Sequence, residues 1–134
     1  MNYCAPQHLV DRFGEAELIQ LTDRALTGSM DYAVLDQAIA DADAEINSYL
    51  TAYTLPLANI PANLRAIACD ITRYRLCDDQ LIEVVVKRYE RAIRYLEQVA
   101  KGAASLPPDA VGVASPSATG PLISSDTPAF VSGW

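Results

Sequence analysis

The sequence predicts an all-α protein, a small bundle of two short N-terminal helices and three longer helices with an extended C-terminal tail. Apolar residues recur at steps of three and four through most of residues 31–101, which is the spacing of one helix face. No stretch before residue 110 alternates apolar and polar side chains as a strand does. Hydrophobic residues make up 51% of the 134 residues and charged residues 20%, as in a single globular domain.

The two short helices come first. The segment "APQHLVDRFG" places Pro6 where a first helical turn tolerates it and Gly14 where a short helix ends. The segment "EAELIQLTDRA" then continues as a second short helix, which ends near "LTGSM".

The first two long helices are separated by a segment that contains two prolines. Asp31 is expected to cap the first of them. Its apolar face comprises Leu35, Ala38, Ile39, Ala42, Ile46, Tyr49, Leu50 and Tyr53. The connector "TLPLANIPAN" ends this helix, and Pro61 is expected at the first position of the next, which runs to about Leu76. The apolar face of that helix comprises Leu64, Ile67, Ala68, Ile71 and Tyr74.

The last long helix is predicted from about Leu81 to Lys101, after a turn at "CDDQ" and before Gly102. Seven side chains are expected to point inward: Ile82, Val85, Tyr89, Ala92, Ile93, Leu96 and Ala100. The outer side carries Glu and Lys or Arg four residues apart, at 83 and 87, 90 and 94, and 97 and 101. This spacing is typical of a helix face in contact with water.

The chain divides at residue 102 into a helical domain, 1–102, and an extended C-terminal arm, 103–134. The arm contains five prolines, which exclude a continuous helix, and it has no Lys or Arg. Its apolar residues are suited to an extended segment that binds a partner protein. We therefore predict partner contacts at Leu122, Ile123, Phe130, Val131 and Trp134. The alternative is that the arm folds back over its own bundle.

Charge is distributed unevenly. Residues 1–60 carry nine acidic and two basic side chains, whereas residues 61–102 carry eight basic and six acidic ones. This asymmetry favours head-to-tail self-association or an asymmetric partner, and no concentrated basic patch favours nucleic-acid binding. The predicted contacts between subunits pair Asp36, Asp41, Asp43 or Glu45 with Arg73, Lys87, Arg91 or Arg94 of a neighbour. The same charges could instead solvate a monomer.

No residue pattern indicates a catalytic, cofactor or metal site. His8 is the sole histidine, and a Cys4–His8 pair would need an orienting third group that nothing marks. Asp41, Asp43 and Glu45 would diverge on a helix rather than converge on a metal. Cys4, Cys69 and Cys77 are expected to be reduced and packed in the core. We expect a protein without enzymatic activity or cofactor.

Neither a secretory signal nor a membrane-spanning apolar run is present in the sequence. The N-terminus, "MNYC", has no basic region followed by an apolar stretch, and no apolar run approaches the length that crosses a bilayer. We therefore expect the chain to be intracellular when it is made.

Four segments together resemble a known family. They are "RFGEAELIQLTD" at 12–23, "DADAEINSYLTAYTLPL" at 41–57, the pattern P-x-x-L-x-x-x-A-x-D-I-x-R-Y-x-L at 61–76, and "RYERAIRYLEQVAKG" at 88–102. In this order and spacing they resemble a small protein of Mu-like phages and prophages from the head-morphogenesis region. The resemblance covers about residues 3–106, and the rest of the arm lies outside it.

The resemblance implies a head–tail connector, also called an adaptor or head-completion protein, in the neck of the virion. Such connectors are helical bundles that form a ring, expected to be a dodecamer, beneath the portal protein. The implied partners are other copies of the chain, the portal, and a stopper or tail-terminator protein, and genomic DNA passes through the ring without sequence-specific binding. The ring would be assembled in the host cytoplasm.

Two alternatives stay open at this stage. One is a tail-terminator or stopper protein of the same neck, although these are more often rich in β-strands. The other is a small helical regulator that binds nucleic acid or a host protein, although two aspartates in "CDDQ" would lie where a helix-turn-helix protein meets phosphate.

Overall fold

A computed structural model describes residues 2–77 and 82–111, except for the side chains of Asp109 and Val111. Its five α-helices are α1 (Pro6–Phe13), α2 (Glu15–Thr22), α3 (Tyr32–Tyr49), α4 (Ala62–Leu76) and α5 (Glu83–Ala100), followed by a 3₁₀ helix at Pro108–Val111. No strand occurs in these two ranges. The prediction of an all-α bundle with two short and three longer helices is confirmed.

Local signals for helix ends match the structure closely. The side chain of Asp31 accepts hydrogen bonds from the backbone N–H groups of Ala33 and Val34 at the start of α3. Gly14 lies between α1 and α2 with φ of 90°, and Gly102 follows α5 with φ of 81°, a region that favours glycine. Pro61 differs from its prediction by one residue, because its extended backbone makes it the cap before α4 rather than the first helical residue.

The core lies among α3, α4 and α5, with α1 and α2 packed on one side. Helix α4 is central, since it packs against both α3 and α5. It runs antiparallel to α5, because Asn63 contacts Tyr95 while Asp70, further along α4, pairs with Arg88 near the start of α5. The larger side chains that are wholly buried in this core include Tyr3, Leu9, Leu18, Leu35, Ile39, Ile46, Leu50, Leu64, Ile71 and Leu96.

Two predicted inward positions on α5 are wrong. Ile82 is 53% exposed, because α5 begins at Glu83 and Ile82 precedes it with an extended backbone. Ala100 is exposed in the last turn, where Val99 is buried instead. The prediction for the three cysteines is confirmed, since Cys4, Cys69 and Cys77 are all free and buried.

The chain continues past Gly102 along the end of the bundle where α3 connects to α4. Leu106 and Ala110 are buried in the core. The backbone N–H of Leu106 donates to the Tyr53 hydroxyl at 3.0 Å, and that of Ala58 donates to the Ala110 carbonyl at 3.0 Å. The division of the chain into two parts at residue 102 stays a prediction. The contacts of Leu106 and Ala110 hold the residues just after that point against the bundle.

None of the helices in the described ranges is long and apolar enough to span a membrane.

Candidate interaction surface

Asp43 lies beneath the N-terminal segment and is engaged within the chain. Its Oδ1 accepts the backbone N–H of Tyr3 at 3.0 Å, and the Tyr3 hydroxyl donates to Asn47 Oδ1. Burial raises the pKa of the Asp43 carboxyl above its ordinary value. Burial and the nearby Asp43 charge raise the pKa of Tyr3 to about 12. The structure thus places Asp43, a predicted contact between subunits, in an internal hydrogen bond.

Arg73 is also engaged internally, because it joins α4 to α2. Its Nε and Nη2 donate to the two carboxylate oxygens of Glu17 at 2.8 and 3.1 Å. The guanidinium also lies over the Phe13 ring, 4.4 Å from the centroid. The side chain of Arg73 is only 13% exposed, so this two-pronged pair is largely shielded from water.

Glu45 joins α3 to α4 and α5. Its Oε1 accepts from Arg75 Nη2 at 2.8 Å, and its Oε2 accepts from the Tyr89 hydroxyl at 2.6 Å. The Tyr89 ring stacks on Tyr74 with centroids 3.8 Å apart. Burial and the hydrogen bond to Glu45 raise the pKa of Tyr89. Three of the eight predicted contact charges, Asp43, Arg73 and Glu45, are therefore engaged with other elements of their own chain.

The other five predicted contact charges lie at the surface. Asp36 is exposed, and Asp41 is partly exposed and accepts a hydrogen bond from Gln37 at 2.9 Å. Lys87 forms the predicted local pair with Glu83 at 3.2 Å, and both side chains are well exposed. Arg91 and Arg94 are exposed on α5. Within the described ranges, neither arginine has a carboxylate within 4.0 Å. These five charges are available to a partner.

Asp41, Asp43 and Glu45 do not converge on one point, as the helical spacing predicts. Asp43 points under Tyr3, Glu45 points to Arg75, and Asp41 lies beside Gln37. No group of three His, Cys, Asp or Glu side chains suited to a metal ion occurs in the part of the chain that the structure describes.

His8 and Cys4 do not form a pair. The Nδ1 of His8 accepts the backbone N–H of Ala5 at 2.9 Å, at the start of its own helix. The Sγ of Cys4 lies 3.7 Å from the Thr72 hydroxyl, in the core. Each side chain therefore has a local structural contact.

A groove of about 370 Å³ runs between α4 and α5. At one end Asn63 Nδ2 donates to the Tyr95 hydroxyl at 3.0 Å, and at the other Arg88 approaches Asp70 at 3.7 Å. Burial raises the pKa of Asp70, and the nearby arginines oppose that shift. The groove is lined by Asn63, Ala66, Ile67, Asp70, Arg88, Arg91, Ala92 and Tyr95.

Among the described residues, four of the five large apolar side chains that are exposed lie at the end of the bundle opposite the α3–α4 connection, and the fifth, Leu55, lies in that connection. Leu26 is 90% exposed and Tyr32 is 57% exposed, just before and at the start of α3. Ile82 and Val84 are exposed at the start of α5. The start of α3 lies beside Leu76 at the end of α4, so both pairs lie at the same end. Sequence reasoning missed this set, because periodicity does not show which helix ends stay uncovered.

The predicted arm contacts at Leu122, Ile123, Phe130, Val131 and Trp134 lie outside the described residues. The described part of the arm ends at Val111, next to the α3–α4 connection and thus at the end of the bundle away from Leu26 and Ile82.

Comparison with known proteins gives a consistent set of relatives. A family model described as Bacteriophage Mu, Gp36 matches residues 3–124. Gene product J of Escherichia phage Mu is 34% identical over 133 residues, which cover 97% of this chain and 94% of that protein. The Mu-like prophage FluMu protein gp36 of Haemophilus influenzae is 37% identical over 105 residues, which cover 78% of this chain and 74% of that protein. The matches extend past residue 106, where the resemblance in the sequence motifs ends.

Proposed function

Because the chain belongs to the family described as Bacteriophage Mu, Gp36, we propose that it is a structural virion protein. In this proposal it forms a ring that acts as the head–tail connector, between the portal and the tail or neck of a long-tailed phage. The motifs at 12–23, 41–57, 61–76 and 88–102 support this role, since in order and spacing they resemble a small protein of Mu-like phages and prophages, and that resemblance implies a connector. The all-α fold supports it as well, because tail terminators and stoppers are more often rich in strands.

The observation that carries the proposal is the unlike charge of two surfaces. Of the predicted contact charges that stay at the surface, the two on α3, Asp36 and Asp41, are acidic, and the three on α5 are all basic: Lys87, Arg91 and Arg94. A closed ring built from one kind of subunit needs two different and complementary surfaces on each copy. A bundle with an acidic α3 and a basic α4–α5 pair meets that requirement.

The charge of the whole chain fits the passage of DNA. The formal net charge is −7, and the arm adds no basic residue. Lys and Arg contacts to phosphate would hold the duplex and would have to be broken as it moves, whereas an acidic or neutral lumen lets it slide. We assign no catalytic residue, cofactor or metal to this function.

The test is the mass and negative-stain appearance of the purified full chain, alone and mixed with the portal protein of a Mu-like phage. We expect a closed homo-oligomer, a dodecamer in the simplest case, that docks coaxially on the portal. A stable monomer that ignores the portal would exclude the connector role. A ring that binds the tail end but not the portal would indicate that the chain is a tail terminator or stopper instead.

The arm provides a second test. Removal of residues 121–134 eliminates all five predicted anchors, Leu122, Ile123, Phe130, Val131 and Trp134. We expect the truncated chain to keep its helical circular dichroism and to bind the portal or its neighbours more weakly. Loss of the helical fold would show instead that the arm covers its own bundle.

A further inference from the structure

We propose that the groove between α4 and α5 binds α3 of a second copy of this chain. The inference rests on the proposed self-assembly and names the two surfaces that meet in it. Asp36 and Asp41 of one copy would lie against Arg88 and Arg91 of the next.

The groove has the shape and chemistry of a site for a helix. Its floor is made of small or aliphatic side chains from both helices, Ala66, Ile67 and Ala92. Its rim carries Arg88 and Arg91 from α5. Arg88 is held only loosely, at 3.7 Å from Asp70, and Arg91 has no carboxylate within 4.0 Å among the residues described. The groove therefore offers apolar contact in the centre and two positive charges at the edge.

The outer side of α3 is complementary to this groove. It presents a row of small or uncharged side chains at steps of three and four: Ala33, Gln37, Ala40, Ala44 and Ser48. Small side chains let another helix approach closely, because backbones then pack at the short end of the usual 8–10 Å interaxial distance. Asp36 and Asp41 flank the row, and neither has a basic partner within 4.0 Å in the described ranges. The occupant thus supplies a carboxylate for Arg91, which has none within 4.0 Å among the described residues, and a second one for Arg88 besides Asp70.

The two surfaces face in different directions, as a head-to-tail contact requires. Helix α3 packs against both α4 and α5 through its buried side. None of the groove-lining residues belongs to α3. One copy therefore cannot place its own α3 in its own groove, and the contact has to be made between copies. Repetition of the contact leaves a free groove and a free α3 until a ring closes.

Disulfide cross-linking of engineered cysteines tests the contact directly. The full chain carrying Ala40→Cys on α3 and Ala66→Cys in the groove is assembled and then oxidised with copper phenanthroline. We expect a ladder of covalent multimers that collapses to monomer on reduction. Each single variant should give no ladder, and a mixture of the two single variants should stop at the dimer. The chain with Ala16→Cys, exposed on α2, and Ala66→Cys is the matched control, because it has two new thiols but no predicted contact.

Charge exchange tests the pairing of Asp41 with Arg91. We expect Arg91→Glu or Asp41→Arg alone to raise the concentration needed for assembly by about tenfold or more, since like charges then meet in the contact. The double variant should recover assembly to within about threefold of the native chain, because the pair is restored with reversed sign. Circular dichroism of each variant shows whether the fold is intact.

Failure of this inference is distinguishable from failure of the proposed function. Rings that form without the ladder and without rescue by the double variant would overturn the α3-in-groove contact and leave the connector role standing. Cross-linking of Ala40→Cys alone, or of Ala66→Cys to the portal, would also overturn it. A chain that stays monomeric under all conditions, with or without the portal, would contradict both the α3-in-groove contact and the connector role.

Discussion

At the scale of single residues, Asp43 has a carboxylate in an environment that disfavours its charge. Its pKa is raised mainly by burial, while the hydrogen bond from the Tyr3 backbone N–H partly offsets that rise. In the unfolded chain the same carboxyl ionises at the ordinary value for Asp, about 3.9. Folding therefore favours its protonated form. The contribution of Asp43 to stability is greatest at low pH and declines as pH rises through the ordinary pKa towards the raised one.

The variant Asp43→Asn removes this pH dependence and keeps an oxygen that can accept from Tyr3. We expect the stability of Asp43→Asn relative to the native chain to increase from pH 4 to pH 7, because only the native chain must ionise a buried carboxyl. Urea unfolding of both chains at several pH values measures the difference between their free energies of unfolding. The effects of the other titrating groups are the same in both chains and cancel in this difference. Parallel pH profiles would contradict the raised pKa.

Tyr89→Phe tests the junction around Glu45. The variant keeps the ring that stacks on Tyr74 and loses the hydroxyl that donates to Glu45. We expect the free energy of unfolding to fall by about 1.5 to 3 kcal/mol, the usual value of a hydrogen bond to a charged group. Tyr74→Phe is the control, since the Tyr74 hydroxyl has no hydrogen bond in the described ranges, and it should change stability by less than about 0.5 kcal/mol. Equal effects of the two variants would contradict the role of the hydroxyl.

How well the contacts of a residue could be predicted depends on how far away along the sequence its partners lie. The cap at Asp31 was predictable, because its partners are the next two or three residues. The pair of Arg73 and Glu17 was not, since they are 56 positions apart and their meeting depends on how α2 packs on α4. Asp43 was expected at the surface because charged side chains usually are, and only the packing of Tyr3 over it shows otherwise.

At the scale of elements, the existence and type of each helix followed from periodicity, and the errors fell at helix ends. The buried face of α3 was predicted closely, since the predicted positions Leu35, Ala38, Ile39, Ala42 and Ile46 are all buried and α3 packs against α2, α4 and α5. The ends of α5 were predicted less well. Ile82 and Ala100 fit the helical spacing, but Ile82 precedes the first turn and no neighbouring helix covers Ala100. Periodicity gives a helix face, whereas burial at the ends depends on the lengths of its neighbours.

The segment after α5 gives a prediction about element boundaries. A chain that ends at Gly102 loses Leu106 and Ala110 from the core, whereas one that ends at Val111 keeps them. We expect the shorter chain to be less stable by about 2 to 4 kcal/mol, the usual effect of losing one large buried side chain. Urea unfolding measures the difference, and Leu106→Ala in the full chain is the control that separates the side chain from the backbone. Equal stability of the two truncated chains would contradict the packing of this segment.

At the scale of the whole molecule, the candidate surface was predictable in outline. The acidic first half and basic second half were visible in sequence, and they correspond to α3 and to the α4–α5 pair. The sequence did not show which of the eight predicted contact charges stay free at the surface. Asp43, Glu45 and Arg73 do not, because they bind residues that are distant in the sequence. The groove was also invisible, since it is formed by the angle and distance between two helices rather than by either one.

Salt should weaken assembly if charge pairs hold neighbouring subunits together. Between about 0.1 M and 1 M salt the Debye length falls from about 10 Å to about 3 Å, which screens exposed pairs. We expect sedimentation to show less ring and more monomer at the higher concentration. The neutral pair variant, Arg91→Gln with Asp41→Asn, should assemble with less dependence on salt. Assembly of the native chain that is unchanged or stronger at high salt would indicate that the apolar floor of the groove dominates.

The distribution of aromatic side chains gives the two parts of the chain separate optical signals. All seven tyrosines lie among the described residues, and several pack in or against the core, while the single tryptophan is Trp134 in the arm. Light at the red edge of protein absorption, which tyrosine does not absorb, therefore excites the arm alone. Tryptophan emission should report when the arm meets a partner, and far-ultraviolet dichroism should report the helices. Docking and folding can thus be followed in one unlabelled sample of the native sequence.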